Sequence, residues 1–194
     1  MENKPISIGI ENYKQMVDKE YYYIDKTLFI KDLLDKGGAV NVFTRPRRFG
    51  KTLALSMIKT YFEKETDYQG NIVDNSSYFI GKNIIKAGEK YTCHMGKYPV
   101  ISLSLKSAKQ PDFQMAYTSL IDEIIKEYER HSYVLCGNVL SEENHDRYKR
   151  IMSRKAEPID YAKSLKFLSD CLKKYHNTGV IILIDEYDVP LENS

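Results

Sequence analysis

The stretch Arg45-Pro46-Arg47-Arg48-Phe49-Gly50-Lys51-Thr52 carries the densest chemistry of the chain. A phosphate-binding loop reads Gly, four residues, then Gly-Lys-Ser/Thr. Seven of those eight positions are compatible here, with Arg45 standing in place of the first glycine. Gly50 lets backbone approach a phosphate with no Cβ in the way. The N–H groups of Gly50, Lys51 and Thr52 would open a helix and find no partner inside it. Such groups point at an anion, and the helix dipole reinforces them. In this arrangement Lys51 reaches the β- and γ-phosphates of a nucleotide, and the Thr52 hydroxyl ligates Mg²⁺. A side chain at Arg45 need not clash if its φ is negative. Arg45, Arg47 and Arg48 set three guanidinium groups beside Lys51. They can add phosphate contacts, meet a nucleic-acid backbone, or form a solvated basic loop.

A second feature lies near the other end. Val180-Ile181-Ile182-Leu183-Ile184 is an apolar run that stops at Asp185-Glu186. In P-loop nucleotidases an Asp at the end of a neighbouring strand holds Mg²⁺, and an adjacent Glu can polarise the attacking water. Asp185 is thus the metal candidate with Thr52, and Glu186 the base, with Lys51 the other catalytic candidate. Alone, the acidic pair reads as a strand meeting solvent. Beside the loop it reads as the other half of one site. Charge agrees: residues 45–52 hold four positives and no acid, and residues 185–192 hold four negatives and no base. His94, His131, His145 and His176 are scattered and read as surface or packing residues. Asp122 and Glu123 read as a solvated helix face.

The elements that must position these residues follow from periodicity. Residues 39–44 are a short apolar run, expected as a buried strand ahead of the loop. The helix after it buries Leu53, Ala54, Met57, Ile58, Tyr61 and Phe62. Upstream, Ile10, Tyr13, Met16 and Val17 recur at helical spacing, and residues 21–24 read as extended. Asp25 or Thr27 is expected to cap a helix carrying Leu28, Phe29, Leu33 and Leu34, which Gly37-Gly38 ends. Residues 63–97 read as loops and short helices, and residues 99–105 as a second buried strand. A helix over 112–130 shows Phe113, Ala116, Tyr117, Leu120, Ile121, Ile124 and Tyr128 on one face. Residues 141–155 are weakly helical. Pro158 opens one more helix, running to about residue 175 with Ala162, Leu165, Leu168, Cys171 and Leu172 inward. A third buried strand spans 179–184. Alternating helices and strands mean α/β.

Composition sets bounds. The 194 residues are 42% apolar and 29% charged with net charge +2, an ordinary globular balance that gives no support for bulk polyanion binding. Cys93, Cys136 and Cys171 form no metal-binding or disulfide pattern and read as reduced thiols of a cytoplasmic protein. Residues 1–10 hold no apolar run, so no signal peptide is expected. No stretch is long enough to span a bilayer, so no membrane partner is expected. Tyrosine is abundant, at 16, and tryptophan absent; no functional reading follows from that bias.

Three strings, Tyr23-Ile24-Asp25-Lys26-Thr27, Thr44 through Thr52, and Leu183-Ile184-Asp185-Glu186-Tyr187-Asp188, closely resemble the AAA-ATPase-like family of bacterial P-loop proteins, and the resemblance covers most of the chain. Arg45 for glycine resembles the family's own habit. The resemblance implies a P-loop ATPase fold of the additional-strand class, a three-layer α/β/α architecture using ATP and Mg²⁺. Lys51, Thr52, Asp185 and Glu186 then take the roles above. It implies a helical segment over 1–38 and a partial ATPase core over 39–194, in a single domain. Family members commonly continue into a restriction-nuclease-like domain. The implied strand order is 5-1-4-3-2, of which this sequence supplies strands 1, 2 and 3, so the chain is expected to stop after its acidic strand. Another chain or copy could complete the sheet. Nucleotide is the expected partner. A non-hydrolysing switch and a nucleic-acid-binding module using the arginines are the rival expectations. The Tyr23–Thr27 segment is expected either near the nucleotide or as a helix cap.

Overall fold

The computed structural model describes residues 5–6, 9–44, 46, 49–67 and 71–188. Helices and strands mix along the chain, and one parallel strand pair is joined through helices, so the class is α/β. The chain divides into two units, Met1–Glu65 with Val73–Lys97, and Thr66–Ile72 with Tyr98–Ser194.

The first unit is helical. Helix α1 (Tyr13–Asp18) starts where the Asn12 side chain accepts the Gln15 N–H at 3.0 Å. Helix α2 (Leu28–Lys36) ends at Gly37, whose φ of 59° is the left-handed turn that glycine makes without strain. Helix α3 (Lys51–Phe62) follows the loop. Strands β1 (Glu65–Thr66) and β2 (Ile72–Val73) pair as a short ribbon at the points where the chain passes from one unit to the other and back. Short helices α4 (Asn83–Lys86) and α5 (Glu89–Thr92) complete the unit. Its core is aromatic: Tyr13 stacks on Phe79 with centroids 5.3 Å apart, and Tyr61 meets the same ring edge-on at 5.0 Å.

In the second unit, β3 (Val100–Ser104) leads through a 3-10 turn at Leu105–Ala108 into α6 (Phe113–Arg130). Helices α7 (Glu142–Met152), α8 (Pro158–Ala162) and α9 (Ser164–His176) lead to β4 (Ile181–Asp185). The two strands pair in parallel, in register from Val100 opposite Ile181 to Ser104 opposite Asp185. A parallel pair needs a long crossover, and these helices supply it. Ile101, Leu103, Ile124, Tyr128, Val134, Tyr148, Ile151, Leu168 and Leu172 form one core cluster.

Tyrosine's abundance has a structural use. Tyr13, Tyr61, Tyr128 and Tyr148 are fully buried. Their hydroxyls donate to the backbone carbonyls of Tyr78, Tyr91, Ser164 and Tyr128, at 3.1, 3.1, 2.8 and 2.8 Å. Each ring fills core volume while its hydroxyl satisfies a carbonyl. Burial raises all four phenols above their ordinary value, that of Tyr61 to about 12.

One edge of β3 is bonded by side chains. Pro99 C=O accepts the Ile181 N–H at 3.0 Å, so it faces β4. Alternate groups along a strand face alternate sides, which turns Val100 C=O and Ser102 N–H to the other edge. There the buried Glu127 accepts the Ser102 N–H at 2.9 Å. Arg130 donates to Val100 C=O and to both Glu127 oxygens, and His131 Nε2 lies 3.0 Å from the same carbonyl.

Five expectations are corrected, the first being that Ile182 and Ile184, expected buried in the third strand, are substantially exposed. Residues 39–44 form no strand; Val40 and Val42 are 84% and 64% exposed. An apolar run becomes a strand only when a neighbour takes its N–H and C=O groups, and no described strand does so. The single helix expected from Pro158 is two, broken at Lys163, which leaves Ala162 exposed. Phe113, at the first position of α6, is exposed and stacks along Tyr117 instead of entering the core. In α2 it is Ile30, not Leu28, that is fully buried.

Candidate functional site

Of the loop, Arg45, Arg47 and Arg48 lie outside the described residues. Pro46 and Phe49 are exposed. Gly50 has φ 75° and ψ 32°, left-handed values, and caps α3. No atom lies within 4 Å of where its Cβ would be, so the demand for glycine is set by the backbone. The first helical bond runs from Ala54 N–H to Gly50 C=O, at 3.0 Å. The N–H groups of Lys51, Thr52 and Leu53 therefore open the helix without acceptors inside it. Lys51 and Thr52 are half-buried. The end of α3 thus presents donors, a cation and a hydroxyl together, a set suited to phosphate.

The acidic pair ends β4 in the second unit. Asp185 is the last strand residue and is half-buried. Its Oδ1 accepts the Glu186 N–H at 3.0 Å. Glu186 has φ 55°, a left-handed value uncommon for a residue with a side chain. The turn takes Glu186 out of strand geometry immediately after Asp185. In parallel sheets ligands gather at the carboxyl ends of the strands, which is where both acids stand. Among the described residues no three His, Cys, Asp or Glu side chains gather as a metal cage. Mg²⁺ does not require one, since one or two carboxylates with phosphate oxygens and water suffice. Taken each in its own unit, the Thr52 hydroxyl and Asp185 Oδ2 take part in no hydrogen bond among the described residues, and each is an oxygen donor of the kind Mg²⁺ accepts.

The Tyr23–Thr27 segment has a definite structural role. Asp25 Oδ1 accepts the Thr27 N–H and hydroxyl at 2.9 and 2.7 Å. Asp25 Oδ2 accepts the Asn83 N–H at 2.8 Å, and Thr27 Oγ1 accepts the Ile84 N–H at 3.1 Å. The pair therefore caps α4, more than fifty residues on, while Asp25 also takes the Thr27 N–H at the head of α2; Thr27 itself makes no side-chain cap for α2. The Tyr23 hydroxyl meets Met57 Sδ of α3 at 3.3 Å, and the Tyr13 N–H donates to Ser56 Oγ at 2.9 Å. The segment and α1 thus brace the helix that carries Lys51. Period and spacing could not reveal this clasp, because its partners are distant backbone groups.

Burial pushes the Asp25 carboxyl up, but the Thr27 and Asn83 hydrogen bonds outweigh it and hold the group below its ordinary value. Its contribution to stability is therefore present above the unfolded value of 3.8 and is lost as pH falls through the lower folded value. Asp25→Ala is expected to cost about 1–2 kcal/mol at neutral pH, the range for a lost cap. The cost should shrink on acidification below about pH 4. Urea melts at pH 7 and pH 3 check both statements.

A groove of about 590 Å³ beside α7 and α9 is lined by Arg147, Phe167 and Lys174 among others, and by none of the candidate residues. Among the described residues no helix is long and apolar enough to cross a membrane.

A family model described as Predicted AAA-ATPase matches residues 7–194. The chain belongs to the AAA-ATPase-like family. This AAA-ATPase-like chain is also similar to an uncharacterized protein in the vnfD 5′ region of Azotobacter chroococcum mcd 1. The two are 25% identical over 195 residues, which is 98% of this chain and 30% of the relative. The chain thus spans less than a third of the relative's length. No solved structure matches it.

Proposed function

We propose that the chain is an ATP-binding domain of the P-loop, additional-strand fold, and the Mg²⁺-dependent ATPase module of a longer protein. The observation that carries the reading is Gly50, left-handed at the head of α3, with Lys51 and Thr52 opening the helix behind it. Family membership supports it. So does the parallel neighbouring of β3 and β4, the arrangement that order 5-1-4-3-2 asks of its second and third strands.

In this reading the N–H groups of Lys51, Thr52 and Leu53 bind phosphate oxygens, and the Lys51 ammonium neutralises the β- and γ-phosphates. Thr52 and Asp185 hold Mg²⁺, which when bound supplies charge neutralisation at the phosphates. Glu186 accepts the proton of the attacking water. Arg45, Arg47 and Arg48 add phosphate contacts at the loop.

Calorimetry with Mg²⁺-ATP on the chain and on Lys51→Ala tests the reading. The substitution removes a charge-assisted bond of about 1.5–3 kcal/mol, so binding should weaken about 10- to 100-fold. A folded chain that binds no Mg²⁺-ATP, or binds it equally well without Lys51, overturns the proposal.

A further inference from the structure

We propose that Ser104, at the end of β3, is a positioning residue for the Asp185 carboxylate, holding it for a divalent cation. The inference rests on the reading of Asp185 as a metal-holding group.

The register places Ser104 directly opposite Asp185. Paired residues of neighbouring strands project to the same face, with Cβ atoms about 5 Å apart. No hydrogen bond joins the two among the described residues; a turn of the Ser104 rotamer would bring its hydroxyl to the carboxylate. Along β3 the residues on this face are Val100, Ser102 and Ser104; Ile101 and Leu103 turn the other way and are buried. The face thus becomes polar toward the carboxyl end, where Asp185 stands.

The Ser104 hydroxyl has no other task among the described residues. Ser104 is the N-cap of the Leu105–Ala108 turn, a position where serine ordinarily caps with its side chain. Here it makes no such bond. Asp185 offers a matching vacancy in its bonding, since Oδ1 takes the Glu186 N–H and Oδ2 takes no described donor. Nearby in sequence, the Ser107 hydroxyl is buried without a hydrogen-bond partner. This end of β3 therefore carries more donors than its own fold consumes. A hydroxyl donating to one carboxylate oxygen fixes the rotamer and leaves the other oxygen for a cation, as outer-shell partners do in metal sites.

Mn²⁺ is the probe, titrated into the full chain in the presence of ADP, with the free-ion paramagnetic resonance signal as readout. Ser104→Ala and the near-isosteric Ser104→Cys should each weaken Mn²⁺ binding about tenfold, the lower end for a lost outer-shell partner. Ser104→Thr, which keeps the hydroxyl, should stay within about twofold of the parent. Asp185→Ala should abolish the Asp185-dependent binding. Thermal melts on all four variants separate loss of binding from loss of fold. Binding lost with Asp185→Ala but unchanged in Ser104→Ala and Ser104→Cys overturns the role of Ser104 alone. Equal losses in the folded alanine and threonine variants also overturn it, because the hydroxyl would then not be the cause. Mn²⁺ binding that does not depend on Asp185, or no binding by the parent, overturns the metal reading and this inference with it.

Discussion

Glu186→Gln is expected to lower ATP turnover in the full-length protein by about 10²- to 10⁴-fold, the range for a positioned general base, while Mg²⁺-ATP binding stays within about threefold. The amide keeps the shape of the side chain and can still hydrogen-bond a water, but it cannot take the proton. A residue with a side chain held left-handed costs about 1–2 kcal/mol, and Glu186 is held there at φ 55° directly after a strand. The same conformation occurs at Glu20, Arg154 and Asn177, so the test of Glu186 is the chemistry of its carboxylate. Single-turnover kinetics with matched calorimetry check the split. Turnover unchanged in the glutamine variant would remove Glu186 from the chemistry. Tight binding with no turnover in either protein would instead favour a nucleotide-dependent switch.

Glu127→Ala is expected to destabilise the second unit by about 2–4 kcal/mol, because it breaks a buried charge pair and a backbone contact together. Glu127 is only 6% exposed. Its removal takes the carboxylate acceptor from the Ser102 N–H and from Arg130. The Arg130 side chain is 29% exposed, so water compensates part of the loss. Arg130 also retains Val100 C=O. Glu127→Gln should recover about half, since its amide oxygen can still accept the Ser102 N–H. Urea unfolding with unchanged slope and a lowered midpoint is the expected signature. A loss under about 0.5 kcal/mol, the range of ordinary surface substitutions, would show that β3 stands without this support.

Local pattern made much of the fold legible. The helix beginning at Asp112 and the end of α2 at Gly37 are set by capping and periodicity, and both occur as expected. The strand expected at 39–44 rested on apolar composition, but strand formation is a property of pairs, and no described strand pairs with that run. For the same reason Ile182 and Ile184 read as buried yet are 41% and 39% exposed. Gly50 at the head of α3 and Asp185 at the end of β4 stand where adjacent residues placed them. Arg45, Arg47 and Arg48 lie outside the described residues. The Asp25 clasp and the meeting of Ser104 with Asp185 were not legible, since each joins residues more than fifty positions apart through register or backbone contact. The alternation of Ser102 and Ser104 was the one visible hint that a face of β3 is polar.

The bonds that Glu127, Arg130 and His131 make to β3 give the parallel pair a polarity of growth. Its β3 margin is already occupied at Val100 and Ser102, whereas among the described residues β4 has no neighbour on its far side. Lateral addition is therefore one-directional. A strand from elsewhere in the polypeptide can extend this sheet only along β4. Two molecules meeting edge to edge through β4 would each consume their single open margin and stop as a pair. Runaway fibre formation needs two open margins per molecule, and among the described residues this sheet offers one.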